Sequence, residues 1–272
     1  MPAIVLIRGG GDLASGIALR LFRAGFRIII TELAHPMAVR RLVSFAEAVY
    51  LGQQTVEGIT GQLAKDPMDS LSILMILSKG KIPVVIDPQG EAITHLHPTI
   101  VVDARMLKLP VELDRRRMSL LIGLGPGFEP GVNCHAAVET KRGHFLGRVL
   151  WKGTPEADTH YPESLVDGYS QRVLRAPVDG IFNIHAEIGD SVEAGQLIAD
   201  VEGQPVVAAV NGILRGLLHA GVQVNRDVKV GDIDPRAERR YCMLVSDKAL
   251  AIGGGVLEAI LSRTELRAHL WT

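Results

Sequence analysis

Gly9, Gly11 and Ala14 stand in a G-x-G-x-x-A spacing, the first arrangement along the chain that could do chemistry. The first glycine permits a tight turn, the second lets backbone approach a pyrophosphate, and the small third residue lets a helix pack closely on a strand. Gly9, Gly10, Gly11, Asp12, Leu13 and Ala14 are therefore candidate cofactor-binding positions, because a helix start offers N–H groups and partial positive charge to phosphate. Glu32 follows Gly11 by 21 residues, where an acid can hydrogen-bond an adenosine ribose. A glycine-tightened turn that binds nothing reads the same way. Asp12 would repel phosphate unless it points away, and it could instead cap the helix by accepting an N–H.

A second glycine turn, Leu124-Gly125-Pro126-Gly127-Phe128, adds Gly125 and Gly127 as candidate backbone donors to the same crevice, a plain turn being the alternative. Asp87 and Asp103 close apolar runs, and the carboxyl ends of strands are the edge where open α/β sheets bind ligands. Loop capping is the commoner role for such an acid. Arg142 suits bidentate contact with phosphate or carboxylate, and His144 suits a base or a ligand, against the plainer reading of an exposed basic turn. Asp87, Arg142 and His144 are the candidate catalytic residues. Arg40 and Arg41 could contact a 2′-phosphate or lie on a solvated helix face. His95 and His97, and the pair Cys134-His135, have no further ligand at matching spacing, so no metal is expected.

The elements that must position these groups follow from periodicity. Ala3–Ile7, Arg27–Ile30, Ile82–Ile86, Thr99–Val102 and Ser119–Gly123 read as buried strands. Leu13–Ala24 reads as an amphipathic helix ended by Gly25, and Pro67–Leu77 as a helix with Asp66 before it. This predicts an α/β fold with a Rossmann-like parallel sheet. Between residues 176 and 230 a repeat of 32 positions appears: Asp179-Gly180-Ile181 recurs as Asn211-Gly212-Ile213, Gly189 as Gly221 and Val192 as Val224. With Gly189-Asp190-Ser191-Val192-Glu193-Ala194-Gly195-Gln196, this resembles the biotinyl/lipoyl carrier (hammerhead) family. The hairpin that presents a modified lysine in that family reads Val201-Glu202-Gly203-Gln204-Pro205 here, so no covalent biotin or lipoyl is expected. Cys242–Val245 reads as a strand and Lys248–Leu261 as a helix interrupted by Gly253-Gly254-Gly255. The expected domains are 1–170 for nucleotide binding, 171–236 for the inserted β-module, and 237–272 returning to the first.

Composition narrows the function classes. Lysine plus arginine total 29 and aspartate plus glutamate 30 in 272 residues, so no broad attraction to nucleic acid or an anionic membrane is implied. Aromatics are 4%, against base-stacking platforms. Two cysteines far apart argue against a disulfide framework. No apolar run approaches the roughly 18 residues of a membrane span, and Met1–Arg8 lacks the basic start of a signal peptide. A cytoplasmic protein is expected, with homo-oligomerisation left open.

Taken together, several blocks resemble the YqeB family of the selenium-dependent molybdenum hydroxylase system over nearly the full length. They are Arg8-Gly9-Gly10-Gly11-Asp12-Leu13-Ala14-Ser15-Gly16, Ala38-Val39-Arg40-Arg41, Gly123–Phe128, Glu139-Thr140-Lys141-Arg142-Gly143-His144, Lys229–Arg236 and Ser246-Asp247-Lys248. The resemblance implies an accessory or maturation factor for a molybdenum hydroxylase client, related to XdhC-type chaperones that handle the molybdenum cofactor. Its crevice would hold a nucleotide or a molybdopterin-type phosphate. The sequence departs from the family pattern at Asp158-Thr159-His160, where the family favours a glycine after the threonine, which leaves the role of the 154–162 loop open. Two readings compete with this one: an NAD(P)-dependent oxidoreductase, for which Glu32 favours NAD over NADP, and a non-catalytic scaffold.

Overall fold

The computed structural model describes residues 3–64, 66, 69–109, 118–157 and 169–267; the departure at 158–160 lies outside them. β1 (Ile4–Arg8) runs through the Gly9–Gly11 turn into α1 (Asp12–Arg23) and β2 (Arg27–Glu32). A short helix, α2 (Ala48–Leu51), precedes a hairpin of β3 (Gln53–Val56) and β4 (Ile59–Ala64). Its two-residue turn, Glu57-Gly58, has φ of 45° and 84°, the left-handed pair that matches strand twist. Next come α3 (Ser70–Ser78), β5 (Ile82–Ile86), α4 (Glu91–Leu96), β6 (Ile100–Asp103), β7 (Leu120–Leu124), β8 (Ala136–Val138) and β9 (Val149–Leu150).

Among the described residues these strands form one nine-stranded sheet in the order β3-β4-β5-β2-β1-β6-β7-β8-β9. Strands β4 to β8 along that order run parallel, and both edges, β3 and β9, are antiparallel. Side chains alternate between faces with period two. Val5, Ile7, Ile28, Ile30, Val84 and Val102 meet α1 on one face, while Leu6, Val101, Leu121, Ile29 and Val85 face α3, α4 and Phe128 on the other.

The β-rich segment carries β10 (Val173–Arg175), β11 (Gly180–Ile184), β12 (Ser191–Val192), β13 (Leu197–Val201), β14 (Gln204–Val207), β15 (Gly212–Leu217), β16 (Gln223–Val224) and β17 (Lys229–Asp234). They form two four-stranded antiparallel sheets, β10-β17-β15-β12 and β14-β13-β11-β16, sharing one core around Phe182, Ile198, Leu214 and Ile233. The halves of the repeat interlock, since β11 pairs with β16 and β12 with β15. Val39 joins this unit to the first: its carbonyl accepts from Leu217 N at 2.8 Å, and a Cβ on Gly216 would lie 2.9 Å from Val39 atoms.

The expected fold class needs correction. The large sheet is mixed, with antiparallel strands at both edges, and the remaining strands make two antiparallel sheets. The fold is therefore mixed α/β rather than a Rossmann-like parallel sheet carrying a biotinyl/lipoyl-like hammerhead module. The physical reason is range: a glycine fingerprint dictates one strand-turn-helix-strand unit, whereas edge direction is set by pairings far along the chain. A second correction concerns Cys242–Val245, where Arg239–Cys242 forms a 3-10 turn instead of a strand. α5 (Asp247–Leu261) is continuous through its three glycines, and α6 (Thr264–Arg267) follows it. Residues Ala249, Ile252, Val256 and Ile260 of α5 enter the same core as Ile17, Leu19 and Leu21 of α1. Among the described residues no helix is long and apolar enough to cross a membrane.

Candidate functional site

The carboxyl ends of the parallel strands open into a cleft of about 930 Å³. Its wall on the sheet side begins at β1, where Gly9 takes φ of +91°, a conformation that favours glycine, and donates its N–H to Thr31 O at 2.8 Å. Gly10 faces inward: a Cβ there would sit 2.9 Å from Ala46 N. Its N–H donates to Glu32 Oε2 at 2.6 Å, and Leu33 N donates to Glu32 Oε1 at 2.7 Å. Burial pushes the Glu32 carboxyl above its usual range, and these two N–H groups pull it back. Glu32 thus braces the glycine turn through Oε2, while Oε1 accepts from the backbone of the residue that follows it. Gly11 is the N-cap of α1 with no capping side chain, and a Cβ there would meet nothing within 4 Å. The α1 start consequently faces open space. Asp12 begins the helix, and its carboxylate lies 3.8 Å from Arg40 Nη1 instead of capping. Leu13 and Ala14 complete this wall.

Positive charge dominates the lining. Ten lysine and arginine side chains line the cleft against four aspartates and glutamates. Arg8 and Arg40 are both more than nine-tenths buried, and each has an Nε with no hydrogen-bond partner among the described residues. Burial, then Arg105, pull the Arg8 pKa down, while Asp103 and Asp87 hold it up. Arg40 donates through Nη2 to Tyr241 O at 2.9 Å and Leu244 O at 2.8 Å. Desolvation, then Arg215, lower its pKa, and Asp12 and Asp232 oppose them. Arg105 forms a fork with the fully buried Asp103, with bonds of 2.9 and 2.6 Å. A buried cationic donor left with an unmade bond is costly unless a ligand or water completes it.

No protein-family model matches the chain. Over 258 residues it is 43% identical to a protein of Escherichia coli (strain K12) described as uncharacterized protein YqeB, covering 95% of this chain. Over that span the chain is similar to YqeB. It spans about half of that relative's length, 47%. Among solved structures, an aspartoacylase family protein from Mesorhizobium loti aligns over 85% of this chain and 84% of its own at 16% identity and a TM-score of 0.27. The product-bound ectoine utilization protein EutE (DoeB) from Ruegeria pomeroyi aligns over 85% of each chain at 14% identity and a TM-score of 0.25. At those scores neither likeness carries a conclusion.

Each block quoted above contributes to the cleft: Arg8, Gly9 and Gly11 to Ala14, Ala38 to Arg40, Pro126, Thr140 to Arg142, Lys229, and Ser246 with Lys248, whereas Gly10 lies outside the lining. The other expected residues are placed unevenly. Asp87 reaches the lining, but its oxygens accept from Gly90, Glu91 and Ala92 N–H at 2.8 to 3.0 Å, which caps α4. Arg142 lines the cleft and grips Asp247 with two bonds of 2.8 and 2.9 Å, holding that carboxyl at about 2. Asp247 is mostly exposed, so this pair contributes little stability. His144 is exposed and lies outside the lining. Gly125 and Gly127 also lie outside it. A Cβ on Gly127 would strike Leu109 O and Leu107 O at 2.5 and 2.6 Å, so the second turn supports the loop after β6 and leaves only Pro126 facing the cleft. His95 bonds to Ser70 Oγ at 3.1 Å, and His135 Nδ1 accepts from Leu121 N at 2.9 Å. Among the described residues no cluster of three or more His, Cys, Asp or Glu is suited to a metal.

Sequence reasoning missed most of the cations: Arg8, Arg105, Lys141, Arg172, Arg215 and Lys229 were not singled out as site residues. Arg40 was weighed as part of a solvated helix face, yet it is 8% exposed and belongs to no regular helix. A basic residue flanking a glycine turn, as Arg8 does, was the available signal. The contributions from the β-rich unit had none, because they reach the cleft only through tertiary packing.

Proposed function

We propose that the cleft holds a phosphorylated small molecule, a nucleotide or a phosphorylated pterin, and that the protein is an accessory or maturation factor for a selenium-dependent molybdenum hydroxylase. The observation that carries the first part is the cationic lining at the strand ends, with Arg8 and Arg40 buried and incompletely bonded beside an uncapped helix start. Preorganised cationic donors and helix N–H groups suit a phosphate better than a neutral ligand. Support for the second part is the similarity to YqeB together with the convergence on one cleft of the blocks that carry the resemblance. The molybdenum hydroxylase client would then dock where the cleft opens. An NAD(P)-dependent oxidoreductase is the weaker reading, since both Glu32 oxygens already accept backbone N–H groups, of Gly10 and Leu33, and Asp87 is engaged as a cap.

Native mass spectrometry of protein purified from its own host tests this directly. A retained pterin-phosphate or nucleotide mass is expected, whereas a neutral ligand would overturn the proposal. Gly11→Val supplies the mutational test. Because φ at Gly11 is −64° and the Cβ site is empty, the fold should lose no more than about 1 kcal/mol, chiefly from the weaker N-cap. The valine should nevertheless block close approach of phosphate to the α1 start and lower ligand affinity at least about tenfold, read by calorimetry. Unchanged affinity in the folded variant would remove the glycine turn from the site.

A further inference from the structure

We infer that the β-rich unit builds a second anion subsite in the cleft from Arg172, Arg215 and Lys229, so that the ligand carries at least two anionic groups, as a pyrophosphate-bridged nucleotide does. This rests on the proposed phosphorylated ligand and extends it. All three cations line the cleft, and all three converge on one carboxylate. Asp232, on β17, accepts from Arg172 Nη1 at 3.0 Å, from Arg215 Nε at 2.8 Å and through its Nη2, and from Lys229 Nζ at 3.4 Å. Arg215 also reaches Asp234 at 3.3 Å, and Asp234 is already forked by Arg236. Four cations therefore share two carboxylates, an excess of two positive charges.

The arrangement is layered as a ligand site would be. Asp232 has no exposed side-chain surface, while Arg172, Arg215 and Lys229 are 31%, 15% and 41% exposed. The acids lie behind and the cations in front. A carboxylate buried only for stability needs one good counter-charge, and further cations repel one another. Here Arg215 also bears on the buried Arg40, whose Nε lacks a partner. An anion in front of the group would neutralise the excess. The site gives the β-rich unit, joined to the first through Val39, a role in the cleft.

Titration of the full chain with inorganic pyrophosphate, followed by calorimetry and phosphorus NMR, tests the inference. The key variant is Arg172→Gln combined with Lys229→Gln, which leaves Arg215 on Asp232. It should lose at least about tenfold in pyrophosphate affinity, or one of two binding sites, with Arg172→Lys/Lys229→Arg retaining it. Thermal melts confirm that each variant is folded. Wild-type affinity in the glutamine variant, with loss in Gly11→Val, would overturn the second subsite and leave the proposed function standing. Loss in the glutamine variant with Gly11→Val unaffected would uphold the subsite and overturn the glycine-turn reading. No binding to the wild-type protein would overturn both.

Discussion

Gly16→Val is expected to destabilise the protein by about 3 kcal/mol or more, in contrast to Gly11→Val five residues earlier on the same turn and helix. A Cβ on Gly16 would lie 2.5 Å from Ala249 Cβ and 3.0 to 3.1 Å from the Ala249 backbone, so α1 and α5 touch through their main chains at this point. Backbone cannot rotate aside as a flexible side chain can. The contact is reciprocal, because a Cβ on Gly253 would meet Arg20 Cγ at 2.9 Å and Gly16 O at 3.1 Å. Valine would force the helices apart and expose Ile17, Ile252 and Val256, all fully buried in the wild type. Gly254 provides the control. It sits mid-helix with nothing within 4 Å of its Cβ position, so Gly254→Ala should stabilise by about 0.5–1 kcal/mol through helix propensity alone. Urea melts of the two variants check both signs. A Gly16→Val protein as stable as wild type would show that the α1–α5 contact contributes nothing to stability.

These glycines also show where the sequence was legible. Gly253-Gly254-Gly255 reads locally as an interruption, and propensity alone supports that reading. The helix persists because Gly253 and Gly255 allow α5 to approach Gly16 and Gly147 at backbone distance, a fact with no local signature. Ile82–Ile86 and its neighbours were readable as strands because burial on both faces imposes a continuous apolar run. Asp69, not Asp66, caps α3, accepting from Leu71 and Ser72 N, since two acids three residues apart offer the same local chemistry. The β3–β4 hairpin was missed because Gln53-Gln54-Thr55 is too polar to stand out, although Glu57-Gly58 carried a turn signal. At the site, the glycine turn was visible as spacing, but the role of Glu32 was not. Whether an acid at the end of β2 reads a ribose or braces the turn depends on which amide lies 2.6 Å away. The cations of the β-rich unit lie more than 150 residues beyond the turn they face, and only tertiary packing relates them.

Asp232→Asn should separate stability from anion affinity and move them in opposite directions. Burial alone would raise the Asp232 carboxyl, but Lys229, Arg215 and Arg172 outweigh it and hold the group below its ordinary value of 3.8. A depressed carboxyl contributes stability that is fully present above the unfolded value and is lost as pH falls through the lower folded value. At neutral pH the wild type therefore has the whole contribution and the asparagine variant none. Breaking a buried ion pair costs about 3–5 kcal/mol, and the partial exposure of the cations returns some of that, leaving a loss of about 2–3 kcal/mol. The difference between the two proteins should shrink as pH falls below 3.8, where the unfolded carboxyl takes up a proton before the native one does. Removing the carboxylate meanwhile leaves Arg172, Arg215 and Lys229 without their shared counter-charge, so pyrophosphate should bind the variant more tightly than the wild type. By linkage, added pyrophosphate should then raise the melting temperature of Asp232→Asn by more than it raises that of the wild type. Denaturant melts from pH 3 to 7, with and without pyrophosphate, read both effects. Equal stabilisation of the two proteins by pyrophosphate would mean that the cations around Asp232 do not meet the anion, and their convergence would then be structural alone.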